Sequence, residues 1–115
     1  MNQEEFEKLI GKQPVLAGEV LPAFTVIYFT ANWCGACKRL DMNILESMND
    51  GIHWLKCDVD QNNYTPGYCQ VRSIPTFLIV ADKKVVGTLT SNQTHQVAAW
   101  VSTHYEDWLQ SKNDQ

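Results

Sequence analysis

The spacing of apolar positions changes period several times along the chain, and each change marks an element. In Glu4–Ile10, Phe6, Leu9 and Ile10 fall on one side, the spacing of an amphipathic helix, and Gly11 supplies a stop. Pro14 and Pro22 bracket an irregular connection. Thr25–Thr30 is an apolar, β-rich run with no polar face, as suits a central strand of a parallel sheet. From Cys34 to Met48 the pattern turns helical, with Cys37, Leu40, Ile44, Leu45 and Met48 at i, i+3, i+4 spacing and Asn49-Asp50-Gly51 as the stop. Ile52–Val59 reads as a second central strand, with Ile52 and Trp54 on one face and Leu55, Cys57 and Val59 on the other.

Asp60–Gln70 is polar and predicts a short helix. Thr76–Val80 is a third apolar strand, Asp82-Lys83-Lys84 a turn, and Val85–Thr90 its antiparallel partner. Thr94–Leu109 closes the chain as a helix with Val97, Val101, Tyr105 and Trp108 on one face. The order α, β, α, β, short α, β, β, α predicts an α/β fold. Its mixed sheet of about four to five strands carries helices on both faces.

The 115 residues are the usual size of one domain, so 1–115 is read as a single unit, and 44% hydrophobic residues suffice for one core. The net charge of −4 argues against a dedicated nucleic-acid binder. The nine Lys and Arg are scattered, so no polybasic membrane patch forms, and no run reaches the ~18 apolar residues of a membrane-spanning helix. The opening Met1–Glu7 is acidic and amphipathic rather than basic and then apolar, unlike a secretory signal. A cytoplasmic location, with most thiols reduced, is the expectation.

Cysteines stand at 34, 37, 57 and 69. In Thr30-Ala31-Asn32-Trp33-Cys34-Gly35-Ala36-Cys37-Lys38 a predicted strand ends just before the pair and a helix begins within it. Cys34 then sits at a helix N-terminus, where free N–H groups and the dipole favour an anion, and its thiol pKa is expected to be lowered. Cys37 lies one turn deeper, so the sulfurs can meet. An exposed attacker and a shielded resolver are what a dithiol exchange site needs, and Lys38 adds a weak positive field. The competing reading is half of a zinc site. Its other ligands would come from Cys57, Cys69, His53, His95 or His104, none of which forms a second paired motif. Iron–sulfur binding is a variant of that reading. Taken singly, Trp33 reads as core packing, Cys57 as a small apolar side chain in a strand, and Cys69 as an exposed, oxidation-prone thiol.

Pro75 precedes an apolar strand and must sit at its first residue, since proline cannot donate to the ladder. With this the sequence resembles the thioredoxin family. Trp33-Cys34-Gly35-Ala36-Cys37-Lys38 is similar to its W-C-G-P-C-K, and Asp58-Val59-Asp60-Gln61-Asn62 to its D/N-x-D-x-N. Thr65–Thr76 is similar to T-x-P-x-Y-x-I-R-x-I-P-T, with the proline one place early. The likeness is good over about Thr25–Thr90. It implies a thioredoxin fold and a cis Ile74–Pro75 bond lying against the Cys34–Cys37 disulfide. It also implies that Ile74 and Pro75 offer an extended edge to a substrate chain, with Trp33 as an apolar wall.

Three departures bear on mechanism. Ala36 stands where the family has proline, which implies a looser turn and a more oxidising pair. Tyr28 stands where the family buries an Asp thought to relay the resolving thiol's proton. Lys56 matches the lysine beside that Asp, so slower resolution by Cys37 is expected. Ser91-Asn92 replaces a region often glycine-bearing near the substrate groove, implying a bulkier groove. The resemblance implies a thiol–disulfide oxidoreductase with the Cys34–Cys37 dithiol as its only redox group. It would act as a monomeric protein disulfide reductase on disulfide-bearing proteins and be recharged by a partner such as thioredoxin reductase. The alternatives are a disulfide oxidase or isomerase, and a scaffold subunit of a larger assembly.

Overall fold

Asn2 starts the first helix in the computed structural model, which describes residues 1–113. The Asn2 side chain accepts the Glu5 N–H and the Glu5 carboxylate accepts the Asn2 N–H, a reciprocal box that satisfies two end donors of α1 (Gln3–Leu9). Gly11, at φ +81°, takes the left-handed turn that ends it. The connection that follows is pinned by Lys8, whose Nζ reaches both Glu19 carboxylate oxygens at 2.9 Å.

The sheet consists of β1 (Phe24–Thr30), β2 (His53–Asp58), β3 (Thr76–Ala81) and β4 (Lys84–Thr90), in the order β2-β1-β3-β4. β1 runs parallel to β2 and antiparallel to β3, and β3 pairs antiparallel with β4. The β3–β4 turn places both Asp82 and Lys83 at positive φ, the two-residue geometry that matches strand twist.

The apolar run of β1 has no polar face because helices cover both sides. Phe24 and Val26 meet Phe77, Ile79, Leu45, Val97 and Val101 on one face. Ile27 and Phe29 meet Phe6, Leu9, Cys57, Leu78 and Val80 on the other. Each such side chain, fully buried, contributes about 1.5–3 kcal/mol, so two-sided burial outweighs the weaker local preferences of the strand.

The expected helix over Cys34–Met48 is not continuous. A 3₁₀ turn covers Cys37–Arg39, Leu40 turns extended (φ −78°, ψ 138°), and α2 spans only Met42–Glu46. The cause is Asp41. Its side chain caps α2 by accepting the Ile44 N–H at 3.3 Å, while its own N–H donates to Thr94 Oγ1. Restarting the helix there changes its phase, so Ile44 is 55% exposed while Leu40 and Leu45 are buried.

The short helix expected within Asp60–Gln70 is α3 (Tyr64–Tyr68). The last helix, α4 (Thr94–Asn113), outruns the predicted Leu109. Its final turn is polar and is held by Asp82, which accepts from Trp108 Nε1 and pairs with Lys112, both at 2.9 Å.

Candidate functional site

The chain leaves β1 at Thr30 and turns sharply, with the Cys34 N–H donating to the Ala31 carbonyl at 3.1 Å. Cys34 and Cys37 form a disulfide across the next turn, with their Cα atoms 5.3 Å apart. Successive N–H donations from Lys38, Arg39 and Leu40 to the carbonyls three residues back wind this segment tightly. The Cys37 N–H donates to Cys34 Sγ at 3.1 Å. This is the bond an N-cap side chain receives, so a directed N–H, rather than a long helix dipole, faces the Cys34 sulfur.

Exposure reverses the sequence expectation. Cys34 is only 4% exposed, whereas Cys37 is half-buried. Cys34 lies beneath the opposite wall, and Cys37 faces outward on the 3₁₀ turn that replaced the expected helix.

That wall is aimed by the end of α3. The Val71 N–H donates to the Pro66 carbonyl and the Gln70 N–H to the Gly67 carbonyl, with Gln70 at φ 58°. This double closure around a left-handed residue sends Val71–Pro75 back towards the disulfide. The Ile74–Pro75 bond is cis, as the resemblance implied, and the Ile74 carbonyl oxygen lies 3.8 Å from Cys34 Sγ. The Thr76 hydroxyl donates to the Ser73 carbonyl at 2.7 Å and lies 2.7 Å from the Thr90 hydroxyl, tying the wall to the sheet.

Between the walls lies an open, mainly apolar groove of about 530 Å³. Trp33, Cys34, Gly35 and Ala36 form one side, and residues 71–74 with Val59 and Pro66 form the other. Trp33 is 67% exposed, so it is not core packing, and its Nε1 donates to Asp60 Oδ2 at 2.9 Å.

Other predicted site residues lie outside the groove. Tyr28 stacks on Phe77, with ring centroids 6.0 Å apart, and packs against the α2–α4 core. Burial, reinforced by the Glu46 carboxylate, raises its phenol above the usual value, so it is no base at neutral pH. Lys56 pairs in register with Tyr28 but is exposed, and Lys38 is exposed on the 3₁₀ turn. Ser91 does not line the groove; its hydroxyl donates to Gln96 Oε1 and accepts the Gln93 N–H at the start of α4.

Cys57 is fully buried, and Cys69 is half-buried rather than exposed. Burial pushes both thiols up to about 11. Among the described residues no three His, Cys, Asp or Glu side chains converge as a metal site would require. Asp60 and Arg72 are site residues that the sequence reading did not single out. Asp60 lies in the Asp58–Asn62 stretch after the second strand and Arg72 two places before Ile74, and neither carries a signal of its own in the sequence.

Comparison with known proteins agrees with this geometry. The mitochondrial Thioredoxin-3 of Saccharomyces cerevisiae is 30% identical over 76% of this chain and 64% of its own length. The thioredoxin of Listeria monocytogenes is 42% identical over 53% of this chain and 62% of its own, so this chain spans a little under two thirds of both relatives. The crystal structure of Fasciola hepatica thioredoxin superposes with a TM-score of 0.74 at 25% identity, covering 90% of this chain and 94% of that one. The thioredoxin family profile matches residues 1–103, and with the Cys34–Cys37 disulfide set against a cis-proline wall the chain belongs to the thioredoxin family.

Proposed function

We propose that this protein is a thiol–disulfide oxidoreductase that reduces disulfides in protein substrates. The observation that carries the reading is the Cys34–Cys37 disulfide, whose Cys34 lines a mainly apolar groove with the Ile74 carbonyl facing its Sγ.

In the reduced protein the Cys37 N–H stabilises negative charge on Cys34 Sγ, and Cys34, although less exposed than Cys37, is the one of the two that lines the groove, which makes Cys34 the nucleophile. Its thiolate attacks one sulfur of the substrate disulfide. A Cys34–substrate bond forms, the substrate S–S bond breaks, and the departing thiolate takes a proton. Cys37, once deprotonated, attacks Cys34 Sγ and releases the second substrate thiol. The substrate gains two electrons and two protons, and the Cys34–Cys37 dithiol becomes the disulfide seen here. A dithiol reductant or a recycling reductase then restores the reduced form. The backbone at Ile74 and Pro75 gives an extended substrate chain a partner edge, and Trp33 covers it from the other side. A reducing compartment such as the cytoplasm suits this direction of flow.

Single-cysteine variants test the reading. Cys34→Ser should lower turnover of a disulfide peptide by at least 100-fold. Cys37→Ser should accumulate a covalent Cys34–peptide adduct visible by mass spectrometry. Full turnover by Cys34→Ser, or no adduct on Cys37→Ser, overturns it.

A further inference from the structure

Arg72 is the one charged residue among those lining the groove, and it shares that lining with Cys34. Its side chain is exposed, and among the described residues it takes part in no ion pair and no side-chain hydrogen bond. The Asp60 carboxylate, beyond the opposite wall, already accepts from Trp33. The rest of the lining is apolar apart from Ser73, and the chain as a whole carries a net charge of −4. Arg72 thus brings the one cation of the groove lining to the site of an acidic protein. A guanidinium is a fork suited to a carboxylate, and beside an open groove its attraction for one is modest and screened by salt.

We propose that Arg72 is a specificity-determining residue that selects disulfide-bearing polypeptides with an acidic side chain close to the attacked cysteine. This rests on the oxidoreductase reading above. An extended substrate pairing beside Ile74 advances about 3.3 Å per residue, so a residue two places from its cysteine comes level with Arg72. A carboxylate there meets the guanidinium, whereas an ammonium there is repelled.

The test uses the full chain and three disulfide peptides that carry Glu, Gln or Lys two positions from the cysteine on each side, at low and high salt. With the native protein, kcat/KM for the Glu peptide should exceed that for the Lys peptide about fivefold at low salt, through KM, and the gap should shrink as salt rises. Arg72→Glu should invert the order, and Arg72→Met should flatten it. These are ratios within one variant, which a general loss of folding does not move. Equal rates for the three peptides, or a ratio unchanged by Arg72→Glu, overturn the proposal. Hydroxyethyl disulfide, which carries no charge, separates the two readings in the native protein. Turnover of it and of the peptides with no charge preference removes only the Arg72 assignment, and failure to turn over either it or any of the peptides removes the oxidoreductase reading and this assignment with it.

Discussion

The indole N–H of Trp33 donates to the Asp60 carboxylate at 2.9 Å, linking the wall of the groove to the turn that follows β2. Trp33 is two-thirds exposed, so packing alone does not fix its ring, and this single bond holds the wall upright. Asp60→Ala should cost about 0.5–1 kcal/mol in thermal or denaturant unfolding, the range of one solvent-accessible hydrogen bond. KM for a disulfide peptide should rise about two- to fivefold with kcat nearly unchanged. A fall in kcat at constant KM would give Asp60 a part in the chemistry instead.

Gln70 holds a left-handed conformation, φ 58°, at the position where such helix closures favour glycine. A side chain there costs roughly 1–2 kcal/mol, partly offset by the greater freedom glycine has when unfolded. Gln70→Gly should therefore stabilise the protein by about 0.5–1 kcal/mol, read as a higher denaturant midpoint at unchanged slope. A loss of stability would mean that the Gln70 side chain makes a favourable contribution outweighing its backbone strain.

The strand pattern was legible because burial on both faces leaves a direct imprint: β1 and β3 are continuous apolar runs, and β2 alternates between the two cores. The second helix was not. Leu40, Ile44, Leu45 and Met48 keep an i, i+4, i+5, i+8 pattern that hides the break after Leu40, and the decisive residue, Asp41, acts through Thr94, more than fifty positions away. The same limit applies at the site. Cys34 and Cys37 share one motif and Pro75 closes another, each readable by itself, whereas the reversed exposure of the two sulfurs depends on how residues 71–74 fold over Cys34. Ser91 was assigned by position along the chain, and its hydroxyl is taken up at the start of α4.

Cys57 and Cys69 should be inert thiols. Burial holds both protonated up to about 11, against an ordinary value of 9.0. In the unfolded chain they ionise at the lower pH, so the stabilisation from keeping them neutral is complete below about pH 9. It is lost as pH rises through about 11. Denaturant unfolding of the reduced protein should weaken across that window, and less so in a Cys57→Ala, Cys69→Ala variant. At pH 7.5, iodoacetamide should alkylate Cys34 well before either. Equal labelling of Cys69 and Cys34 would show that the packing around α3 opens readily.

Ala36 should set the redox poise. Its φ of −64° is the value a proline ring would fix, and its N–H makes no backbone hydrogen bond among the described residues. Proline therefore matches this φ and forfeits no backbone hydrogen bond, and its absence leaves the turn freer to move in the dithiol. Closing the disulfide then costs more conformational entropy, which disfavours the oxidised form and raises the potential. Equilibration against a glutathione or dithiothreitol series should place Cys34–Cys37 tens of millivolts above the roughly −270 mV typical of thioredoxin. Ala36→Pro should bring it back down by about 30 mV, equivalent to about 1.4 kcal/mol for two electrons. A native value at or below about −270 mV would remove Ala36 as the determinant and strengthen the reductase assignment. A raised value that Ala36→Pro does not move would shift the cause from the freedom of the turn to the groove itself, where the Ile74 carbonyl faces the same sulfur.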